Sequence, residues 1–359
     1  MKKRVVVAMS GGVDSSVAAS LLVDEGYEVI GLTMQTWPSE SARSSKEKQR
    51  GCCGMDAALD AFSVANLLGI PHYVLDFQEV FRKNVITNFT QEYLKGRTPN
   101  PCVRCNEFVK FNALLEKAIA LGADFLATGH YAATSYCNET KRYTLSKGKD
   151  EKKDQSYVLY PLKQEELAKT LFPLGHWTKE EVRAYAKERG LPTAEKKESY
   201  DICFVPDGNY AEFVKNQAGE EIRPGQIVNM DGKTVGDHKG LVHYTIGQRR
   251  GLGIASNLPQ YVLAIEPATN TLVVGEEEQL YSKELLAQEI NWVSIPPPLN
   301  PIEATAKIRY HALEARAAIT PAAEGRVEVR FLEPQKAITP GQSVVFYEGS
   351  LVLGGGIIA

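Results

Sequence analysis

The segment that most constrains the fold is Ser10-Gly11-Gly12-Val13-Asp14-Ser15-Ser16, which follows the apolar run Arg4–Met9 and opens a helical pattern over Ser15–Glu25. An apolar strand, a glycine turn, hydroxyl residues and a helix start, in that order, aim backbone N–H groups and a helix dipole at one point. Chains hold anions in this way. The segment has neither the Gly-Lys-Ser/Thr of a Walker A loop nor the spacing of a Gly-x-Gly-x-x-Gly dinucleotide turn.

Around this loop the first two hundred residues alternate apolar runs with helical patterns, as a parallel sheet with crossover helices requires. Strands are expected at Arg4–Met9, Glu28–Met34, His72–Phe77 and Phe125–Tyr131, read as buried parallel strands. Helices are expected at Ser15–Glu25, Asp56–Leu68, Glu79–Lys95, Glu107–Leu121 and Lys179–Arg189, several closed by glycine. The polar stretch Ser39–Arg50 reads as a mobile loop. From about Asp207 the texture changes to short runs divided by Gly, Pro, Asn and Asp, the pattern of a small β-rich module. Pro296-Pro297-Pro298-Leu299-Asn300-Pro301 makes a stiff linker or loop, and past it alternating runs between Ala304 and Leu353 predict a small antiparallel barrel. The expectation is an α/β chain: residues 1–206 a doubly wound parallel sheet, 207–280 a β-rich centre, and 281–359 an antiparallel β-barrel.

Charge narrows the function. The chain of 359 residues has a net charge of -3, so it lacks a large basic field, and any nucleic-acid surface must be local. Local clusters exist at Lys95-Arg97-Arg104-Lys110, Lys152-Lys153, His238-Lys239 and Arg249-Arg250. No apolar stretch approaches the about 18–20 residues that cross a bilayer, and the apolar run near Met1 is too short for a signal sequence. The expected location is the cytoplasm, with no membrane partner.

Six cysteines stand at 52, 53, 102, 105, 137 and 203, far from the density of a disulfide scaffold. In Thr98-Pro99-Asn100-Pro101-Cys102-Val103-Arg104-Cys105-Asn106, two of them lie three apart in a proline-braced loop at a helix start, with Arg104 between. Helix N-termini and nearby cations stabilise thiolates, so at least one should be reactive. Cys203 sits in the apolar run Ile202–Val205, a context that taken alone favours a core residue.

The loop at Ser10 resembles that of the ATP pyrophosphatase superfamily, whose members cleave ATP between the α and β phosphates to activate a substrate oxygen as an adenylate. Taken with Thr98–Asn106, Ala127-Thr128-Gly129-His130-Tyr131-Ala132, Lys153-Asp154-Gln155-Ser156-Tyr157, Cys203-Phe204, Tyr244–Arg249, Thr339-Pro340-Gly341-Gln342 and Leu353–Gly356, the chain resembles the tRNA-specific 2-thiouridylases over essentially its whole length. These enzymes thiolate carbon 2 of the wobble uridine. The resemblance implies ATP at Ala8, Met9, Ser10, Gly11, Gly12, Val13, Asp14, Ser15, Met34 and Gly129, with a magnesium ion bridging phosphates and Asp14 serving catalysis. It implies Cys105 as nucleophile and Cys203 as persulfide carrier, the two able to close a disulfide. It implies tRNA contacts at Asn100, Pro101, Cys102, His130, Lys153, Asp154, Gln155, Arg309, Tyr310 and Gln342, and an upstream sulfur donor protein, a cysteine desulfurase or a relay. Many family members have Asp where this chain has Cys102. That thiol leaves two chemistries open: a metal-free persulfide route, and a 4Fe-4S cluster held by Cys102, Cys105 and Cys203. Cys52 and Cys53 are awkward ligands for one metal, being adjacent. Two rival readings, a small-molecule synthetase and a non-enzymatic RNA-binding module, leave the cysteines or the Ser10 loop without a use.

Overall fold

In β1 (Arg4–Ala8), Val5 and Val7 face one hydrophobic layer and Val6 the other, and all three are fully buried. A strand buried on both faces lies at the middle of a covered sheet. The computed structural model describes residues 2–37, 55–197, 202–218 and 222–359; Ser39–Arg50, Cys52 and Cys53 lie outside the described residues. β1 pairs in parallel with β2 (Glu28–Gln35) and with β4 (Phe125–Ala127), and β3 (His72–Asp76) and β7 (Thr170–Leu171) complete a five-stranded parallel sheet in the order β3-β2-β1-β4-β7. The order reverses direction between β1 and β4. Open α/β sheets bind ligands at such a reversal, outside the carboxyl ends of the strands.

Helices cover both faces. Val17 and Leu22 of α1 (Val13–Asp24), Ala61 and Val64 of α2 (Met55–Leu68) and Val182 and Ala186 of α5 (Lys179–Glu188) join the layer under Val5 and Val7. On the other face, α3 (residues 78–94) contributes Phe81, Val85 and Phe89, and α4 (residues 101–120) contributes Val109, Phe111 and Leu114. Both α3 and α4 contain wide π-helical turns, at Arg82–Ile86 and Cys105–Leu114, a geometry often found at functional sites. Phe204 seats its segment on α3, with ring centroids 5.7 Å from Phe81 and 5.1 Å from Phe89.

The β-rich centre follows α6 (Tyr210–Ala218). Its strands β8 (Gly225–Val228), β9 (Thr234–His238), β10 (Tyr261–Glu266) and β11 (Thr271–Gly275) run in the order β10-β11-β8-β9 around Ile227, Val262, Leu272 and Val274. The last part holds β12 (Tyr281–Trp292), β13 (Ile302–Lys307), β14 (Ala315–Pro321), β15 (Val327–Lys336), β16 (Ser343–Glu348) and β17 (Leu351–Ile358). Pairing of β12 with β17 closes six strands into an antiparallel barrel. A hairpin from the first part, β5 (Ala132–Cys137) and β6 (Arg142–Lys147), extends the barrel wall through Leu351 opposite Ser146 and Val352 opposite Leu145. Tyr157 and Tyr160 add to this seam: their hydroxyls reach the Ser343 carbonyl at 2.8 Å and the Ser343 Oγ at 3.2 Å.

The parallel sheet, β-rich centre and closed barrel match the expected fold class, and three local expectations need correction. β3 is not buried on both faces; it is the sheet edge, with Tyr73 and Val74 about half exposed at 53% and 50%. The strand expected to reach Tyr131 stops at Ala127, because the chain turns at Thr128–Gly129 to pass the start of α1. The helix expected from Glu107 begins at Pro101, capped by the Asn100 side chain, which accepts from the Val103 N–H at 3.4 Å, so Cys102 lies in its first turn rather than in a loop. The proline-rich segment 296–301, expected as a linker or loop, is a loop between β12 and β13.

Candidate active site

The turn after β1 is fixed by its own backbone and hydroxyls. Gly11 has φ +65° and sits against the Ala57 carbonyl, where any side chain would overlap the backbone of α2. Ser15 Oγ takes the Ser10 N–H at 3.2 Å and also meets the Gly12 carbonyl at 3.2 Å, while Ser16 Oγ donates to that carbonyl at 2.8 Å. Gly12 caps α1 without a side chain, leaving the helix start to a ligand or water. Gly129 closes the other side. An added Cβ there would lie 2.7 Å from the Asp14 carbonyl carbon and the Ser15 nitrogen, so the turn after β4 packs flush on the first turn of α1.

Two lysines converge on this cradle, and the sequence pattern did not single out either. Lys179 Nζ lies 2.7 and 2.8 Å from the two carboxylate oxygens of Asp14, with only 10% of the Lys179 side chain exposed. Tyr131 donates its hydroxyl to the same carboxylate at 2.7 Å. Lys196 Nζ donates to the Gly11 carbonyl at 2.8 Å and pairs with Asp60. One signal was available for Lys179. It follows the cap Thr178 in the first position of α5, where a cation opposes the helix dipole unless an anion faces it.

The cysteine segment lies on α4. Cys102 is exposed, Cys105 is half-buried one turn on, and Cys203 is half-buried; Cys105 and Cys203 pack against the same hydrophobic cluster as Phe81 and Phe89. Arg104, expected to stabilise a thiolate, is committed elsewhere: its guanidinium holds Glu107 at 3.0 Å and Glu289 of β12 at 2.7 Å. Burial alone would lower the Arg104 pKa, but the two carboxylates outweigh it and hold it above its usual value. Glu107 is pushed up by burial, against the pull of Arg104.

The residues expected to meet tRNA fall into distinct surroundings. Asn100 caps α4 and Pro101 is buried behind it. His130 is buried between Phe111 and Phe172, with Nδ1 2.7 Å from Thr128 Oγ1; burial, aided by Lys110, drives its pKa well below the ordinary histidine range. Asp154 is buried and accepts from the Gly148 and Ser156 N–H groups at 3.1 Å. Gln155 accepts the N–H of Tyr131, the residue whose hydroxyl meets Asp14, at 3.0 Å. Lys153 is half-buried and Arg309 exposed, its guanidinium on the Lys336 carbonyl at 2.9 Å. Tyr310 is half-buried and donates to the Asp154 carbonyl at 3.0 Å. Gln342 donates to the Thr98 carbonyl at 2.9 Å. In the nucleotide set, Ala8, Met9 and Val13 frame the cradle, and Met34 is buried at the end of β2 beside it.

Among the basic clusters, Arg97 and Arg104 are drawn into ion pairs and His238 is buried, whereas Lys152, Lys239, Arg249 and Arg250 are exposed. Cys137 ends β5 beyond this region. Among the described residues, no three His, Cys, Asp or Glu side chains stand close enough together to hold a metal ion. No helix among the described residues is long and apolar enough to cross a membrane.

Comparison with known proteins bears on what such a cradle and these cysteines serve. Residues 3–207 match the tRNA methyl transferase HUP domain, residues 211–276 the tRNA methyl transferase PRC-barrel domain, and residues 282–358 the aminomethyltransferase beta-barrel domain. The chain is 54% identical to the tRNA-specific 2-thiouridylase MnmA of Acetivibrio thermocellus, over 99% of both chains. It is 52% identical to the tRNA-specific 2-thiouridylase MnmA 1 of Caldanaerobacter subterraneus subsp. tengcongensis, over 100% of this chain and 98% of that one. Among solved structures, the U34-tRNA thiolase NcsA from Methanococcus maripaludis with its 4Fe-4S cluster aligns at 20% identity and a TM-score of 0.35, covering 60% of this chain and 67% of that one. Full-length identity above half, joined to the conserved order of three matched domains, assigns the chain: it belongs to the tRNA-specific 2-thiouridylase family.

Proposed function

We propose that this chain is an ATP-dependent tRNA sulfurtransferase that exchanges the carbon-2 oxygen of a wobble uridine for sulfur. The observation that carries the reading is the cradle at the β1–β4 reversal, closed by Gly11 and Gly129 and flanked by Lys179 and Lys196. Its open helix start and two ammonium groups suit a triphosphate, so the residues present fit ATP. A magnesium ion would be held largely by phosphate oxygens and would neutralise part of their charge.

The chemistry has a forced order. A uracil carbonyl oxygen is a poor leaving group, so it first attacks the α phosphate of ATP; the bond to the β phosphate breaks and pyrophosphate leaves. The cradle N–H groups, with Lys179 and Lys196, are placed to take that charge. Sulfur then arrives as the terminal atom of a persulfide on Cys203, charged by a cysteine desulfurase or a relay protein. It attacks carbon 2 directly and expels AMP, after which the Cys105 thiolate attacks Cys203 Sγ, breaks its bond to the transferred sulfur and releases the 2-thiouridine; or Cys105 first attacks Cys203 Sγ and frees hydrosulfide, which attacks carbon 2, and either way a Cys105–Cys203 disulfide forms. AMP departs with the former carbonyl oxygen, and the disulfide returns to two thiols through an external thiol reductant.

Arg309, Lys153 and the exposed Lys152 are the residues best placed to meet RNA phosphates, and a wobble base must leave the anticodon stack to reach the thiols. The working compartment on this reading is the cytoplasm. The test is to incubate the protein with unmodified tRNA, ATP and a persulfide donor and to digest the tRNA for mass spectrometry. A 2-thiouridine that fails to form with Asp14→Ala supports the reading, and unmodified tRNA with the wild-type protein overturns it.

A further inference from the structure

The eight residues ahead of Cys105 are held by the barrel at several points. Arg97 donates to the Ile358 carbonyl at 3.0 Å. The Thr98 N–H donates to the Pro340 carbonyl at 2.9 Å, and Gln342 Nε2 donates to the carbonyls of Thr98 at 2.9 Å and Pro99 at 3.3 Å. Gly341 has φ +90° and leaves no room for a side chain over the Thr98 backbone. Arg104, immediately before Cys105, is held by Glu289 at 2.7 Å.

Glu289 is the unusual member. It has φ +53° and lies where the pairing of β12 with β17 shifts register between Gln288 and Asn291. A left-handed glutamate at a bulge carries a backbone cost, and bulges re-aim side chains. Here the bulge interrupts the seam that closes the barrel, and its carboxylate meets Arg104. Adhesion between the two parts does not need this contact, since Tyr157, Tyr160 and the β6–β17 pairing already join them.

We propose that the barrel sets the position of Cys105, with Glu289 acting through Arg104 and Gln342 acting through the Thr98-Pro99 backbone as positioning residues. This rests on Cys105 being a sulfur-handling residue. A reacting group displaced by about 1 Å loses on the order of a hundredfold in rate, so fixing the first turn of α4 has a catalytic return. Glu289 also acts on the charge of Arg104, the residue that precedes the thiol in the chain. With its carboxylate removed, Arg104 keeps one carboxylate partner instead of two, and the Cys105 thiolate gains stability.

The test compares Glu289→Gln, Glu289→Gly and Gln342→Leu with the wild type in three measurements: tRNA affinity, kcat for thiolation, and the pH profile of Cys105 alkylation by iodoacetamide, read by mass spectrometry without tRNA or ATP. Expected are tRNA dissociation constants within about twofold of wild type in the two Glu289 variants, and kcat lowered about tenfold or more in all three. Both Glu289 variants should move the alkylation midpoint to lower pH, and Gln342→Leu should leave it in place. Glu289→Gly guards against a folding artefact, because glycine adopts φ +53° without strain and the variant should melt no lower than wild type while still being slow. Unchanged kcat in the Glu289 variants overturns the proposal. So does a tRNA affinity that falls in step with kcat/KM at constant kcat, which makes these residues RNA contacts. Wild-type protein that makes no 2-thiouridine overturns the functional reading instead, and the alkylation profiles stay readable in that event.

Discussion

Gly129→Ala isolates the packing of one turn against the phosphate cradle. The backbone of Gly129 is not left-handed, so alanine is acceptable locally and the whole effect must come from space. Its Cβ would stand 2.7 Å from the Asp14 carbonyl carbon and the Ser15 nitrogen, where ordinary contact begins at 3.4 Å. Both neighbours are backbone, so relief requires α1 or the turn after β4 to move by about 0.7 Å or more. Overpacking of this kind costs about 1–3 kcal/mol, which in a unit of some two hundred residues lowers the melting temperature by about 2–12 °C. The functional cost is larger, because the displaced atoms are the N–H donors of the cradle, and misplacement near 1 Å costs on the order of a hundredfold. The assay is AMP release from labelled ATP in the presence of saturating tRNA, with tRNA affinity measured in parallel. The reasoning predicts AMP release down by about a hundredfold with tRNA affinity preserved. AMP release at the wild-type rate would refute the idea that Gly129 holds the cradle in register.

Lys179→Met removes the main partner of Asp14 in a pair that is partly exposed at 32% on the Asp14 side; pyrophosphate binding by calorimetry should weaken at least tenfold, about 1.4 kcal/mol, whereas an unchanged affinity would confine Lys179 to a structural role. Cys203→Ser should abolish the protein-bound persulfide and Cys105→Ser should retain it, both without making 2-thiouridine; labelled sulfur on Cys137 instead would contradict the assignment. On the persulfide route iron-free protein should keep full thiolation activity, and activity that returns only on iron reconstitution would contradict that route. Burial keeps His130 neutral in the folded chain, while the unfolded chain takes up a proton near pH 6.5. Stability is therefore fully present above that pH and falls below it by up to about 1.4 kcal/mol per unit. His130→Gln should flatten the pH 5–6.5 part of the unfolding curve, and an unaltered slope there would show that another group titrates.

The alternation in Val5–Val7 and the turn at Ser10 made the parallel sheet and its ligand edge legible, because burial on two faces and an open helix start leave direct marks on sequence. The barrel was legible where its strands alternate. β12 was not, since Tyr281–Trp292 mixes Lys, Glu and Gln into a strand whose alternation is broken by the bulge at Glu289. The β5–β6 hairpin escaped for a related reason: Ala132–Cys137 is short and polar, and β17, the strand that pairs with β6, lies some two hundred residues away. At the site, the glycines and cysteines announced themselves by type and spacing. Lys179 and Lys196 did not, because a lysine that crosses from one helix to another element's carboxylate or carbonyl has no local pattern. Arg104 misled for the same reason: its neighbour in sequence is a thiol, but its partners in space are Glu107 and Glu289.

The central claim is that the Ser10–Ser15 cradle cleaves ATP between its α and β phosphates only to activate tRNA. It is tested most directly by following ATP labelled at the α phosphate with purified protein, with and without unmodified tRNA and a persulfide donor. The account predicts label in AMP alone, formed only with tRNA present and, with the donor supplied, in one-to-one ratio with 2-thiouridine. Label appearing in ADP, or AMP forming at the same rate without tRNA, would contradict it.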